Sequence, residues 1–383
     1  MRWWLACVLA GCEFHHGAAS GVPAGDGKLI DARLIDAPPD ALTMPMCFGP
    51  PGAFQLCLST IPTNQTMLNG NTIDTEACSG DAQNENTMQL GGVTVCVIAG
   101  GTITVAGTVQ AIGANPLVLV AVQSITIQQG ATLSVASKSD ASNAIRGASA
   151  NDSSCTPMTA MFGASANGGG GGGAGASFGG AGMAGGAGTS GASAGGTAGT
   201  AASAVTTLRG GCEGGDGGDS SNGSPGGGGA GGDSGGALYV ATQGMLTIAG
   251  TVTASGAGGY GAAASKRGGG GAGSGGLIVI AAHSLTMPST GIVIANGGAG
   301  GGGSSNSVDG TTGANATTLA AAAGGAGGSG GGADGGNGGA ATTAATVGMQ
   351  ATQGGGGGGA GVGIIKVLTT LTLPAAQISP PQS

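Results

Sequence analysis

Acidic side chains in glycine-rich turns are the first candidates for chemistry in this sequence. Asp216, Asp219 and Asp233 lie near one another in the chain, and Glu213 precedes them. Calcium takes about six or more oxygen ligands from such carboxylates and from carbonyl groups, so these residues are candidate calcium ligands. The repeated GGxGxD array that would indicate a calcium site is absent. The favoured interpretation is that they are solvated turn residues and that no cofactor is bound.

A second motif with catalytic potential is GDSGG at residues 232–236, which matches the nucleophile motif of trypsin-like serine proteases. That chemistry needs Ser, His and Asp side chains in one pocket. The sequence Ala-Ala-His ending at His283 is similar to the histidine motif of the same family, but here it follows Ser234 instead of preceding it. A tract rich in Gly, Ser and Asp also produces GDSGG by chance. We therefore predict no catalytic residue and a chain that is not an enzyme.

The N-terminus combines the features of an export signal with a reactive thiol. Residues 2–9 supply one positive charge and an apolar stretch, and Leu9-Ala10-Gly11-Cys12 follows. These last four residues resemble the lipobox that bacterial lipoprotein signal peptidase recognises. The resemblance implies that residues 1–11 are a signal peptide and that Cys12 carries the lipid, and Glu13 favours the outer membrane. The apolar stretch is short, so the alternatives are a chance match or a start codon placed too late.

The remaining cysteines are expected to form disulfides. Of eight Cys, Cys7 leaves with the signal peptide and Cys12 takes the lipid, which leaves an even number in an exported chain. No CxxC spacing occurs and no His lies nearby, so a zinc site is not expected. Proximity in the sequence favours the pairs Cys47–Cys57, Cys78–Cys96 and Cys155–Cys212 among the possible connectivities.

The composition excludes several classes of protein. The chain has 383 residues, of which 92 are Gly, and charged residues make up only 7% and aromatic residues 2%. A conventional core of aromatic side chains cannot be built from it. The formal net charge is −8, and the nine basic residues form no stripe that could follow a phosphate backbone, so nucleic-acid binding is not expected. No apolar run reaches the ~20 residues of a membrane-spanning helix.

Two segments precede the repetitive part of the chain. Residues 12–45 contain a doubled Leu-Ile-Asp-Ala sequence followed by prolines, which is typical of a flexible, lipid-anchored tether. Residues 46–91 contain three of the cysteines and a Gly-Pro-Pro-Gly turn. They are predicted to form a small N-terminal cap stapled by disulfides.

From residue 92 onward a repeat of short β-branched runs organises the chain. The step from the first triplet of the repeat to the second is 22 residues, enough for one coil with two or three short strands. Each run ends in an apolar-Thr-apolar triplet: Ile103-Thr104-Val105, Ile125-Thr126-Ile127, Leu246-Thr247-Ile248, Leu285-Thr286-Met287 and Leu371-Thr372-Leu373.

This repeat predicts an all-β fold, a right-handed parallel β-helix or solenoid over residues 92–383. Stacked coils would satisfy one another's backbone groups and bury the inward Val, Ile and Leu side chains as a continuous column. The alternative is a set of unrelated hairpins in an antiparallel sandwich. The repetition of the triplet in register favours the solenoid, as does the lack of two-residue hairpin signals such as Asn-Gly between the runs of the repeat.

Glycine-rich insertions at about residues 138–235, 257–275 and 298–362 interrupt the predicted coils. Two states are open to them. They can be disordered, since glycine loses the most entropy on folding. They can also form packed left-handed extended helices, in which the lack of side chains lets backbones pair with one another. Partial order by backbone packing is favoured, because a shapeless insertion of nearly 100 residues would be unusual in a compact domain.

The lipobox, the Asp-, Ala- and Pro-containing tether, the cysteine-flanked cap and the interrupted solenoid together resemble uncharacterised glycine-rich lipoproteins of myxobacterial type. The insertions are similar to the glycine-rich repeats of mycobacterial surface proteins in composition only. The first resemblance covers nearly the whole chain and implies a cell-envelope location and a β-helical fold, but no reaction.

The functional expectation is a non-enzymatic, lipid-anchored protein of the bacterial cell surface with a structural, adhesive or spacer role. Its expected partners are the membrane, through the lipid, and surface glycans or other envelope proteins. One alternative is a glycan- or calcium-binding surface module that uses the Thr-rich coil faces or the acidic turns. A second alternative is a β-helical carbohydrate-active enzyme, for which the sequence nominates no carboxylate pair.

Overall fold

The computed structural model describes residues 45–79, 85–140, 144–155, 159–202, 204–221 and 227–383. The predicted signal peptide, Cys12 and almost all of the predicted tether therefore lie outside the described residues. The described chain is all-β, as predicted, with short 3-10 helices at Thr189–Gly191 and Ala375–Gln377. The strands are β1 (Met46–Phe48), β2 (Leu56–Leu58), β3 (Gln65–Asn69), β4 (Thr72–Asp74), β5 (Glu85–Leu90), β6 (Val93–Ala106), β7 (Thr108–Ile112), β8 (Leu117–Ile127), β9 (Thr132–Ser134), β10 (Ala237–Ile248), β11 (Thr251–Thr253), β12 (Leu277–Thr286), β13 (Ile292–Ile294), β14 (Ile364–Val367) and β15 (Ile378–Ser379).

Two mostly parallel sheets contain nearly all of these strands. The 7-stranded sheet has the order β14-β12-β10-β8-β6-β3, and β5 pairs with β6 in antiparallel orientation. The 6-stranded sheet has the order β15-β13-β11-β9-β7-β4. From β6 onward each strand of one sheet is followed in the chain by a strand of the other. A separate 2-stranded antiparallel hairpin is formed by β1 and β2.

The apolar-Thr-apolar triplets explain how the sheets pack. The triplets that begin at Ile103, Ile125 and Leu246 lie in register on neighbouring parallel strands. Their apolar residues are almost fully buried, and with the Val and Leu residues of the opposite sheet they form one continuous core. Alternation with period two therefore places the Thr side chains on the outer surface and the apolar side chains between the sheets.

The sheets begin before the predicted boundary at residue 92. Strands β3 and β4 lie within the region expected to be a separate cap, yet they pair in parallel with β6 and β7. Only the β1–β2 hairpin lies outside the two sheets. The predicted boundary is too late because β3 and β4 lack the Thr-centred triplet by which the repeat was recognised.

The glycine-rich insertions are ordered by hydrogen bonds between backbones. In the segment 169–178, the N–H groups of Gly170 and Gly173 donate to Lys266 and Gly269, each over 2.9 Å. N–H groups at intervals of three residues therefore donate to the same neighbouring segment. This spacing indicates three residues per turn, as in extended polyproline-type helices. The packed segments, here called the glycine lattice, are 159–166, 169–178, 180–188, 193–202, 208–221, 227–236, 254–262, 266–276, 295–305, 308–316, 322–329, 332–340, 345–351 and 353–363.

Some segments of the glycine lattice are enclosed on all sides by others. Within segment 266–276, residues 268–276 donate hydrogen bonds to three neighbouring segments, 208–221, 254–262 and 353–363, and the whole segment accepts them from three others, 169–178, 227–236 and 295–305. The arrangement is hexagonal. The enclosed segments are 169–178, 266–276, 295–305 and 353–363.

Close approach of backbones requires glycine in the enclosed segments. A Cβ atom at Gly357 would lie 1.9 Å from the carbonyl oxygen of Gly270, and one at Gly173 would lie 1.9 Å from that of Gly215. Real Cβ atoms do not approach that closely, so the neighbouring backbone would have to move. This packing explains the runs of consecutive glycines, because every face of an enclosed segment meets another backbone.

The glycine lattice is continuous with the sheets. Segment 266–276 runs directly into β12, and 295–305 follows directly after β13. Segment 353–363 likewise leads into β14. Glycine segments therefore continue the chain directly before β12 and β14 and directly after β13. Turns between the segments join one glycine segment to the next.

The six described cysteines form disulfides in the pairing that sequence proximity favoured. The bridges are Cys47–Cys57, Cys78–Cys96 and Cys155–Cys212. The first joins β1 to β2, the second ties the turn after β4 to β6, and the third ties residue 155 to a segment of the glycine lattice. No helix among the described residues is long and apolar enough to cross a membrane.

Candidate functional site

A polar depression of about 490 Å³ lies where strands of the 6-stranded sheet end. Glu76 follows β4, Gly113 follows β7, and the loop that contains Arg146 and Asp152 forms the remaining wall. The depression presents charges of both signs to solvent. No histidine or cysteine is among its described lining residues, so it offers ionic and hydrogen-bonding groups to a ligand but no nucleophile and base pair of the protease type.

Asn151 holds the wall of this depression against the glycine lattice. It has a positive φ of 57°, a conformation that Asn tolerates better than most residues. Its N–H donates to Ser234 Oγ over 2.7 Å, and its Oδ1 accepts from the N–H of Ser234 over 2.8 Å. Its Nδ2 donates to Asp233 Oδ1 over 2.6 Å. The same carboxylate lies 4.0 Å from Arg146 Nε, a pair exposed enough to contribute little to stability.

Ser234 of the GDSGG motif is part of this structural contact. It is fully buried, and its hydroxyl is engaged by the Asn151 backbone. His283 is exposed at the far end of β12, beside Cys47 and Gly49 in another depression. Because β10 and β12 run in register, at least about six residues of strand, or ~20 Å, separate the two side chains. The structure does not bring the two residues together.

The candidate calcium ligands are engaged separately. Asp216 Oδ1 accepts the N–H of Gly231 over 2.7 Å, and Asp219 pairs with Arg267 at 3.3 Å. Asp233 contacts Asn151 and Arg146, as described above. Among the residues that the structure describes, no group of three or more His, Cys, Asp or Glu side chains is placed to hold a metal ion.

Two of the acidic residues have shifted pKa values. Glu213 is exposed, but the surrounding chain partly desolvates its carboxylate. This desolvation, followed by the negative charges of Asp233 and Asp216, raises the pKa of Glu213, while Arg146 opposes the shift. The pKa of Asp219 is lowered overall, although partial desolvation of its carboxylate by itself raises it. The hydrogen bond from the N–H of Ser220, together with the Arg267 guanidinium, lowers the pKa of Asp219.

Polar side chains on the outer segments accept hydrogen bonds from neighbouring glycine backbones. Asp334 Oδ1 accepts the N–H of Gly327 over 2.7 Å, and Asn337 Oδ1 accepts that of Gly324 over 2.9 Å. Asp216 does the same for Gly231. These side chains complete the hydrogen bonding of N–H groups at the rim of the glycine lattice. The spacing of Glu213, Asp216 and Asp219 at intervals of three residues follows from the period of the segment that carries them.

Arg209 links the loop of the depression to the glycine lattice. Its guanidinium lies 4.7 Å from the centre of the Phe178 ring and 3.9 Å from Asp152. Burial lowers the pKa of Arg209, and the carboxylate of Asp152 opposes that shift. Sequence reasoning singled out neither Arg209 nor Arg146. The sequence offered one signal for them: basic residues are rare, since the whole chain has only nine Lys and Arg residues, and each one is therefore a candidate for a specific contact.

Comparison with known proteins finds no matching family model, no matching curated protein and no matching solved structure.

Proposed function

We propose that this protein is a non-enzymatic, lipid-anchored cell-envelope protein that serves as a stiff structural or adhesive module at the bacterial surface. The observation that carries the proposal is the fusion of two mostly parallel sheets with a hexagonal glycine lattice. Such a body combines a chain of mostly small, uncharged residues with an interior in which glycine backbones are hydrogen-bonded to one another. It suits a protein that spaces or attaches surfaces.

The glycine lattice supports this role through its backbone. In the enclosed segments, hydrogen bonds run to neighbours on every side, and little side-chain freedom has to be lost on folding. Three disulfides connect the described parts of the chain, which suits an oxidising compartment outside the cytoplasm. Export is consistent with both features.

For the finer architecture, we propose a right-handed parallel β-helix. Its support is the alternation of strands between the two sheets and the in-register triplets. Crossover connections between parallel strands of one sheet are right-handed in about 98% of cases. A crystal structure with left-handed coils would contradict this.

For the attachment, we propose cleavage before Cys12, acylation of its thiol and retention in the outer membrane. The support is the Leu9-Ala10-Gly11-Cys12 sequence with Glu13 after it. Labelling of cells with radioactive palmitate tests this. The wild-type chain should carry label and Cys12→Ser should not, while Cys7→Ser serves as the matched leader control and should still be labelled. Retained label in Cys12→Ser would refute the anchor.

The surface role is tested separately in living cells. Protease shaving of intact cells should remove the wild-type protein, and protection from protease would place it inside. Deletion of the gene, or the Cys12→Ser change, should alter adhesion, aggregation or surface display. Normal behaviour of both strains in all three assays would overturn the structural and adhesive role.

A further inference from the structure

Two rows of side chains cross the outer surface of the 7-stranded sheet, on the half of the strands that holds the triplets. Strand pairing places the members of each row side by side on β6, β8, β10 and β12. Neighbouring members are ~4.8 Å apart, and the rows are separated by two residues, or ~6.6 Å. The rows, here called the hydroxyl face, consist of Thr102, Ser124, Met245 and Ser284, and of Thr104, Thr126, Thr247 and Thr286.

The hydroxyl face is open to solvent. Its members are half-buried or exposed, and Met245 is 45% exposed. On β3 the rows continue with Gln65 and with Met67, which is 63% exposed. The other half of the same sheet differs, because the β1–β2 hairpin and Phe178 pack against it in a second apolar cluster.

The chemistry of the hydroxyl face is uncharged and amphipathic. Neither row contains an acidic or basic residue, although the whole chain has a net charge of −8. At the irregularity in strand pairing above the rows, Gln123, Gln243 and His283 are exposed. Hydroxyl and amide groups both donate and accept hydrogen bonds, and the methionines offer soft apolar contacts. Sugar rings present this same combination of hydroxyl groups and apolar C–H surfaces.

We propose that the hydroxyl face binds a neutral, extended polysaccharide that lies across the strands, along the direction in which the coils stack. A face with a regular repeat matches a ligand that itself repeats, whereas a small ligand would be held in a concave pocket. Absence of charge in the rows selects an uncharged polymer over an anionic one. This inference deepens the proposed adhesive role and rests on it for its biological setting.

Binding to insoluble polysaccharides tests the inference without reference to cellular location. The probe protein is the full chain with Cys12→Ser, and the solids are cellulose, chitin and an anionic cross-linked pectate. We expect retention on a neutral solid and not on the anionic one. The double variant Thr126→Lys with Thr247→Lys should weaken that retention about tenfold or more, because two long charged side chains interrupt the face.

A matched control lies in the turn that follows segment 332–340 of the glycine lattice. Thr342 and Thr343 are exposed there and belong to no row of strand residues, so Thr342→Lys with Thr343→Lys should leave binding unchanged. Far-UV circular dichroism and thermal unfolding should show that all variants are folded. Three results would overturn the inference: no retention on any neutral solid, equal loss in the control with Lys at positions 342 and 343, or adsorption to ice crystals only. None of them bears on palmitate labelling or surface display, which test the proposed function separately.

Discussion

At the scale of single residues, glycine matters in this protein because it has no Cβ atom. Gly357 lies in an enclosed segment, and a Cβ atom there would meet the Gly270 carbonyl oxygen at 1.9 Å. Gly339 likewise has no positive φ, but a Cβ atom there would meet no atom closer than 3.3 Å. The two positions therefore have the same residue type and different tolerance.

Gly357→Ala should destabilise the protein by about 1–3 kcal/mol, because the neighbouring backbone must move to admit the methyl group. Gly339→Ala is the matched control and should change the free energy of unfolding by less than about 1 kcal/mol, with a smaller loss of chain entropy offsetting the tight contact. Chemical denaturation measures both. Equal effects at the two positions would contradict the enclosed packing of residues 353–363.

Glu213 gives stability a dependence on pH. Its folded-state pKa is raised by partial desolvation and by Asp233 and Asp216, so the ionised form is disfavoured in the folded protein. The resulting penalty is present above the folded pKa and is relieved as the pH falls through it towards the ordinary value near ~4.3. Glu213→Gln should therefore raise the melting temperature at pH ~7 and give little or no gain at pH ~4. The same gain at both values would show that charge is not the cause.

At the scale of elements, the disulfides hold parts of the chain that differ in loop length. Cys47–Cys57 closes a short hairpin with a sequence separation of 10, and Cys155–Cys212 closes a loop with a separation of 57. A disulfide stabilises the folded protein by reducing the entropy of the unfolded chain, and this effect grows with loop length. It amounts to about 3 kcal/mol for the first bridge and about 4 kcal/mol for the second.

The double replacement of Cys155 and Cys212 by Ala should therefore cost more free energy of unfolding than that of Cys47 and Cys57. The longer bridge also holds residue 155 against the glycine lattice. Denaturation in guanidinium with both double variants measures the difference. A larger loss for the Cys47 and Cys57 pair would indicate that the hairpin, which covers Tyr239, contributes more by packing than the longer bridge does by entropy.

The strand elements were largely predictable, and their boundaries were not. The Thr-centred triplets beginning at Ile103, Ile125 and Leu246 fall on β6, β8 and β10 and identified the repeat. Strand β3 was missed because its sequence, with Met67 in place of the outward Thr, does not match the pattern. The contacts of Asn151 with Ser234 join residues 83 positions apart, a separation that local patterns do not reveal.

At the scale of the whole molecule, the glycine lattice and the sheets share their chain segments. Segment 266–276 becomes β12 without a break, and 353–363 becomes β14. A disturbance in the interior of the glycine lattice should therefore reach the sheets, since the same backbone continues from one into the other.

Hydrogen exchange measured by mass spectrometry tests this coupling. In the Gly357→Ala variant, protection should fall in β12 (Leu277–Thr286) as well as in the glycine lattice, because opening of the enclosed segments frees the start of the strand. Gly339→Ala should leave both regions protected. Loss of protection confined to the glycine segments would indicate that they unfold as an independent unit.

The sequence by itself determined the local geometry of this protein. Alternation in the triplets favours strands, although Leu371-Thr372-Leu373 lies after β14 and in no strand. Consecutive glycines permit backbones to approach within hydrogen-bonding distance. Only the tertiary structure decided which backbones meet. Gly170 donates to Lys266, Gly269 to Gly355, and Gly355 back to Gly170, although nothing in the three glycine runs distinguishes one partner from another. The partners follow from where the sheets place the ends of each segment, because backbone groups are alike in every residue and carry no identity of their own.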